Sequence, residues 1–215
     1  TVLFSSKEKL ENGLFLDGDQ IILAKDGDGT SFMNFSESTL VGICNAENIM
    51  AAIAICLSAG VTKEQMLPVI RQFRAVPHRI EYVATKDGVS YYNDSKATNP
   101  DAAIQGICAM TAPTILIAGG YDKGNSYDGW LKAAGPKVKE LVLIGQTAPQ
   151  IAVCARKYGM EQLYFADSLS DALKHCTSIA KEGDAVLLSP ACASWGMFEN
   201  YEQRGDLFKE YVNRL

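Results

Sequence analysis

From residue 80 onward, short apolar runs alternate with amphipathic stretches of helical length, and this alternation leaves few folds open to the chain. Runs at 80–84, 89–92, 114–118, 140–144, 162–165 and 185–188 read as strands. The stretches 101–110, 127–134, 149–157 and 169–180, with a last one near 198–214, read as helices. Lys86-Asp87-Gly88 turns the first pair into a hairpin. The remaining strands are each separated by a helix, which implies right-handed crossovers and a largely parallel sheet.

The first third has a different grammar. Residues 1–6 read as an interior strand entering a loop, so the chain starts in mid-strand, as a fragment of a longer protein is expected to. Strands at 13–16 and 20–24 are joined by Asp17-Gly18-Asp19, a hairpin turn. Asp26-Gly27-Asp28-Gly29 opens like a calcium loop but lacks the later ligands and the closing Glu, which leaves a plain turn. A helix at 49–59 is expected to be capped by Asn45, with Asn48 in its first turn, and a second helix spans 63–73. Pro77 biases Val76 away from helical geometry. The expected organisation is α/β: a partial α/β domain over 1–76, then a Rossmann-like domain with a mostly parallel sheet over 77–215.

Composition narrows the function classes. A formal charge of −5 supplies no basic stripe to displace counterions, which argues against a nucleic-acid binder. No apolar run is long enough to cross a bilayer and no signal peptide heads the chain, so no membrane partner is expected. The six cysteines include no C-x-x-C pair, and two histidines make a Cys/His zinc site a poor reading, so no metal ligands are assigned. A reducing, cytoplasmic compartment is expected.

Three strand-to-helix connections carry an unusual load of polar and small residues. The first is Asn93-Asp94-Ser95-Lys96-Ala97-Thr98-Asn99, followed by Pro100-Asp101, a helix start in which Asn caps free N–H groups and Pro fits the first turn. The second is Gly119-Gly120-Tyr121-Asp122-Lys123-Gly124, and the third is Ser189-Pro190-Ala191-Cys192-Ala193-Ser194-Trp195. In a parallel sheet all three lie along one edge, placing Lys96, Thr98, Lys123 and Ser194 on one rim with Tyr201 at the start of the last helix. Two ammonium groups, two hydroxyls and two helix N-termini suit a small dicarboxylate or another compact anion. The second connection lacks G-x-x-x-x-G-K-[ST] spacing, so it is no ATP phosphate cradle. Plainer readings stand beside these: Asp94 and Arg79 as a surface ion pair, Asn48 satisfying its own helix end, His78 and His175 as structural groups, and Lys63, Arg71 and Arg74 as solvated faces.

Five motifs in order carry a resemblance: G-x-x-N-x-x-N at Gly42 to Asn48, P-H-R at Pro77 to Arg79, N-D-S-K-A-T-N at Asn93 to Asn99, G-G-x-D-K-G at Gly119 to Gly124, and S-P-A-C-A-S-W…N-Y-E-Q-R-G from Ser189 to Gly205. Together they resemble the Mur ligase family of peptidoglycan synthesis, and within it the members that add D-glutamate. The resemblance implies residues 1–76 as the tail of a central ATPase domain and 77–215 as a complete C-terminal ligase domain, with a UDP-binding domain and most of the central domain missing. It implies ATP and Mg2+ as cofactors. The implied reaction is amide formation between UDP-N-acetylmuramoyl-L-alanine and D-glutamate through an acyl-phosphate. By the same resemblance Asn48 contacts adenine, and Arg79 and Asp94 hold the ribose and phosphate side of ATP. Thr98, Lys123, Ser194 and Tyr201 bind D-glutamate, and Lys96 supports its charge. No catalytic residue is assigned. The family usually has His where this chain has Cys44, and Cys matches imidazole in neither charge nor reach. The P-loop and magnesium ligands are absent, so the chain alone is expected to be inactive. The alternatives are a free-standing, non-catalytic small-anion-binding module and a Mur ligase for another amino acid.

Overall fold

In a computed structural model that describes residues 1–215, the chain divides into two units, Thr1–Ala75 and Val76–Leu215. In the first, β1 (Phe4–Ser5), β2 (Gly13–Asp17), β3 (Gln20–Lys25) and β4 (Asp28–Asn34) form a sheet in that order. β1 runs parallel to β2, and the other pairs are hairpins. Two helices, α1 (Ile43–Ser58) and α2 (Lys63–Gln72), complete the unit. Leu14, Ile21, Phe32 and Met33 from the sheet meet Ile49, Met50, Ile53 and Met66 from the helices in one core.

Two features of this unit depart from the sequence expectation. The turn at Asp26-Gly27, with φ of 53° and 88°, is the left-handed pair that a tight hairpin requires, and it leads directly into β4. That strand escapes a periodicity reading because Asp28–Ser31 are polar and exposed while the adjacent Phe32 and Met33 are both buried. A register shift between Ile21 and Ile22 on the partner strand breaks the alternation. Secondly, Asn45 does not cap α1. Gly42 does, at φ 89°, and the helix begins at Ile43. The Asn45 amide instead donates back to the Val41 carbonyl at 2.8 Å. Asn48 therefore sits in the second turn, exposed, with its amide donating to Asn45 Oδ1 at 3.3 Å.

The second unit contains β5 (Glu81–Lys86), β6 (Val89–Asn93), α3 (Pro100–Ala109), β7 (Thr114–Gly119), α4 (Asp128–Ala134), β8 (Val138–Ile144), α5 (Ala148–Lys157), β9 (Leu163–Ala166), α6 (Leu169–Ile179), β10 (Ala185–Leu188) and α7 (Tyr201–Asn213). The sheet order is β5-β6-β10-β7-β8-β9; only β5 runs antiparallel. Every residue of β7 and β10 is buried, as expected of central strands covered on both faces. Ile115, Ile117, Val186 and Leu188 pack in the cluster with Leu173 and Phe208, which puts α6 and α7 on one face. α3 packs on α4 and α4 on α5, while α5 contacts β7 and β8 from the other face. The expected α/β class with a mostly parallel sheet is what forms.

β10 is the last strand in sequence yet lies at the centre, between β6 and β7. α3 lies close beneath the start of the loop after β6. A Cβ added at Gly106 would sit 2.4 Å from Asp94 Oδ2 and 2.8 Å from Ser189 Oγ. Both groups are buried and cannot swing away into solvent. Gly106→Ala is therefore expected to destabilise the second unit by about 1–3 kcal/mol despite its gain in helix propensity. Both tryptophans, Trp130 and Trp195, lie in that unit, so urea denaturation followed by tryptophan fluorescence reads it directly. A neutral or stabilising outcome would refute the close packing.

Candidate functional site

The site is built where β6, β10 and β7 end side by side. Leu188 pairs with both Asn93 and Ile117, so the three strands stop at nearly the same level. The ladder then continues into the loops. The Asp94 N–H donates to the Leu188 carbonyl at 2.8 Å, Ser189 N–H to Ile117 at 3.2 Å, and Gly119 N–H to Pro190 at 2.9 Å. Tyr121 N–H reaches the Ala193 carbonyl at 2.9 Å in an isolated antiparallel bridge. Gly120 is needed there: its φ is 151°, and a Cβ would lie 2.3 Å from the Ala193 carbonyl oxygen. The three polar connections are thus one hydrogen-bonded surface rather than three independent loops.

On this surface Lys96, Thr98, Lys123, Ser194 and Tyr201 stand in the second unit. Lys96 Nζ lies 5.6 Å from the centroid of the Tyr201 ring, and Lys123 Nζ lies 4.6 Å from that of Trp195. Neither ammonium forms an ion pair with a carboxylate of the chain. Ser194 is buried, and its carbonyl accepts from Met197 and Phe198 in the turn that leads to α7. Asn99 caps α3 by accepting the Ala102 N–H at 2.9 Å, as the Asn-Pro-Asp start requires. Asn200 caps α7 in the same way through Gln203 N–H at 2.7 Å, which fixes Tyr201 at the first helical position.

Asp94 departs from its expected display on the loop surface. It is 4% exposed, its Oδ1 accepts the Ile80 N–H at 3.2 Å and its Oδ2 accepts the Ser189 hydroxyl at 2.8 Å. It forms no surface ion pair with Arg79, which is exposed. Burial pushes the Asp94 carboxyl up to about 7, against the two hydrogen bonds and the nearby Arg79 charge. His78 is structural, as its neighbours imply. It is buried with φ 65°, its ring meets Asn93 Nδ2 at 3.1 Å and packs edge-on to Tyr201, and its carbonyl accepts the Lys96 N–H. His175 stacks on Tyr164 at 3.6 Å, far along the sheet on β9, and pairs with Glu140 on β8. Asn48 belongs to the first unit.

One residue carries more of the site than its sequence position signals. Arg204 on α7 is fully buried. Its Nε donates to Ser95 Oγ at 2.9 Å, its Nη2 to the Ser95 carbonyl at 2.9 Å, and its Nη1 to the Cys192 carbonyl at 3.2 Å. A single guanidinium therefore joins the connection holding Lys96 to the one holding Ser194. It has no carboxylate partner, and burial lowers it to about 10, so it remains a cation beneath the rim. The signal that could have found it is helical spacing: Arg204 shares the apolar stripe of Phe208 and Val212 at intervals of four. Cys192 is fastened from its other side, with Sγ 3.3 Å from both Tyr127 Oη and Thr147 Oγ1, and burial pushes its thiol up.

The Asp94 environment has a pH signature. An unfolded Asp titrates near 3.8 and this one at about 7, so the folded chain holds the proton more tightly. The stability contributed by the protonated form is complete below the lower value and is lost as pH rises through the upper one. Asp94→Asn stays neutral and can still accept from Ile80 and meet Ser189. It is expected to gain on the parent, by on the order of a few kcal/mol, as urea denaturation is moved from about pH 4 to about pH 8. A difference that does not change with pH contradicts this assignment.

Comparison with known proteins places this geometry in a family. The model described as Mur ligase, glutamate ligase domain, matches residues 78–192, more than half of the chain. A UDP-N-acetylmuramoylalanine–D-glutamate ligase of Lachnospira eligens is 53% identical over 217 residues, covering 100% of this chain and 48% of the relative. One of the same name from Caldicellulosiruptor bescii is 45% identical over 215 residues, covering 100% and 47%. The chain thus spans about half the length of the curated relatives it matches. Among solved structures, a UDP-N-acetylmuramate-alanine ligase from Thermotoga maritima superposes with TM-score 0.66 at 16% identity, over 99% of this chain and 48% of that one. A Mycobacterium tuberculosis folylpolyglutamate synthase complexed with ADP gives 0.63 at 16%, over 89% and 44%. These two likenesses concern the fold alone. The sequence match over residues 78–192, on a sheet whose adjacent strand ends carry the motif residues, makes this chain a member of the Mur ligase family.

Proposed function

We propose that the chain supplies the amino-acid-accepting part of an ATP-dependent ligase that joins D-glutamate to UDP-N-acetylmuramoyl-L-alanine in cytoplasmic peptidoglycan synthesis. The observation that carries the reading is a rim of three adjacent strand ends bearing two lysines with no carboxylate partners. A dicarboxylate binding there displaces no ion pair already present. The names of relatives 45–53% identical over the whole chain favour D-glutamate over other dicarboxylates. No helix is long and apolar enough to cross a membrane.

In this reading Lys96 and Lys123 attract the carboxylates, Thr98 and Ser194 offer hydroxyls, and Tyr201 packs against the carbon chain. Fixing both carboxylates fixes the direction of the amine. ATP transfers its γ-phosphoryl group to the alanine carboxylate, releasing ADP. The D-glutamate nitrogen then attacks the acyl carbon, the C–O bond to phosphate breaks, and the nitrogen gives up a proton as the amide forms. The contribution of this chain is orientation, which raises the effective concentration of the amine at the acyl carbon. On the nucleotide side Arg79 offers an exposed guanidinium to ribose and phosphate. Asp94, turned inward, acts by holding the Ile80 N–H and so fixing the backbone beside Arg79.

The residues present do not fit a magnesium site. No group of three or more His, Cys, Asp or Glu side chains in the chain could hold a metal ion. The sequence also lacks G-x-x-x-x-G-K-[ST]. Phosphoryl transfer is therefore assigned to residues outside these 215, and this chain alone is expected to release no phosphate from ATP with both substrates present. Phosphate release by the chain alone would overturn that division of labour. In the full-length ligase, Lys123→Ala removes one charge-assisted hydrogen bond, about 1.5–3 kcal/mol, and should raise the D-glutamate KM roughly ten- to a hundredfold. An unchanged KM would remove Lys123 from the site.

A further inference from the structure

Trp195 takes no part in the functional reading so far, yet it is 53% exposed beside a residue that does. Tyr121, 41% exposed, meets it edge-on with ring centroids 5.5 Å apart. The two rings side by side make an apolar patch against the rim. Their placement is rigid rather than accidental, because the Tyr121–Ala193 bridge fixes the two loops that carry them. Lys123 sits over the Trp195 face at 4.6 Å, within cation–π range. Lysine has four flexible side-chain torsions, and without an anchor its ammonium would sample a wide arc in solvent. A carboxylate anchor would hold it too, but would compete with an anionic substrate. A ring face attracts the cation without neutralising it.

We propose that Trp195, braced by Tyr121, is a positioning residue that holds the Lys123 ammonium in place to receive one carboxylate of the incoming dicarboxylate. This rests on the D-glutamate reading above and extends it to the residue that sets where the second positive charge stands. Trp195 acts through Lys123, so its contribution disappears when Lys123 is removed. The other lysine is held on the same principle, by Tyr201 at 5.6 Å. Each of the two charges is therefore held by a ring.

The test is a D-glutamate titration of the isotope-labelled 215-residue chain by two-dimensional NMR. The chain has two tryptophans, so only two indole N–H signals appear, and Trp195→Phe identifies which is which. The expected result is that the Trp195 indole signal and the Lys123 amide shift on the same binding curve as the Thr98 and Ser194 amides. Trp195→Ala should weaken D-glutamate binding about two- to fivefold. Trp195→Phe, which keeps a ring, should recover most of it. Lys123→Ala combined with Trp195→Ala should bind no more weakly than Lys123→Ala alone. The proposal is overturned if the indole signal stays still while Thr98 and Ser194 respond, or if the two substitutions add; either result leaves the D-glutamate reading standing. Failure of all four signals to move at saturating D-glutamate would sink that reading and this one together.

Discussion

The insertion of β10 between β6 and β7 is the constraint on which the site depends. Without it, the connections after β6 and β7 would be separated or would meet without the third loop. With it, Leu188 brings Asn93 and Ile117 to one level, and backbone hydrogen bonds run on from strands into loops. α7, which follows β10, then returns across the sheet and delivers Arg204 beneath the rim. That guanidinium satisfies two carbonyls and a hydroxyl in a place where water cannot, and each buried acceptor left unmet would cost about 1–3 kcal/mol. Local order at the site is thus a consequence of long-range topology.

Charge is arranged to the same end. Lys96 and Lys123 rest on aromatic faces, Arg204 is buried among neutral acceptors, and Arg79 is exposed, so the positive groups around the rim are not cancelled by carboxylates at contact distance. Asp94, the acid of the first connection, is held inward and is drawn toward its neutral form by burial. A chain with formal charge −5 has in this way kept one small region receptive to anions. That region is built on three loops and not on a basic stripe.

Much of the second unit was legible because buried parallel strands are continuous apolar runs. Ile115-Leu116-Ile117 and Val186-Leu187-Leu188 announce themselves without any partner. Their order in the sheet was not legible, since nothing in Ala-Val-Leu-Leu names its neighbours. β4 was missed because a register shift and the adjacent buried Phe32 and Met33 erase its period. Asn45 misled because Gly42, three residues earlier, already turns the chain into α1. The inward turn of Asp94 depends on the missing side chain of Gly106, twelve residues further along the chain on α3, a contact visible only in three dimensions. The lysines and hydroxyls of the three connections could be named from the sequence because polar residues stand together directly after buried apolar runs. Arg204 was overlooked because a single arginine on an apolar stripe looks like any solvated helix residue until its stripe is traced to Phe208 and Val212.

The central claim is that one small dicarboxylate bridges the loops at the ends of β6, β7 and β10. A crystal structure of the chain soaked with D-glutamate tests it most directly. The account predicts ligand density on the rim, with one carboxylate on Lys96, the other on Lys123, and the Ser194 hydroxyl within hydrogen-bond reach. Density for D-glutamate elsewhere on the second unit, with Lys96 and Lys123 still resting on Tyr201 and Trp195 and touching nothing, would contradict it.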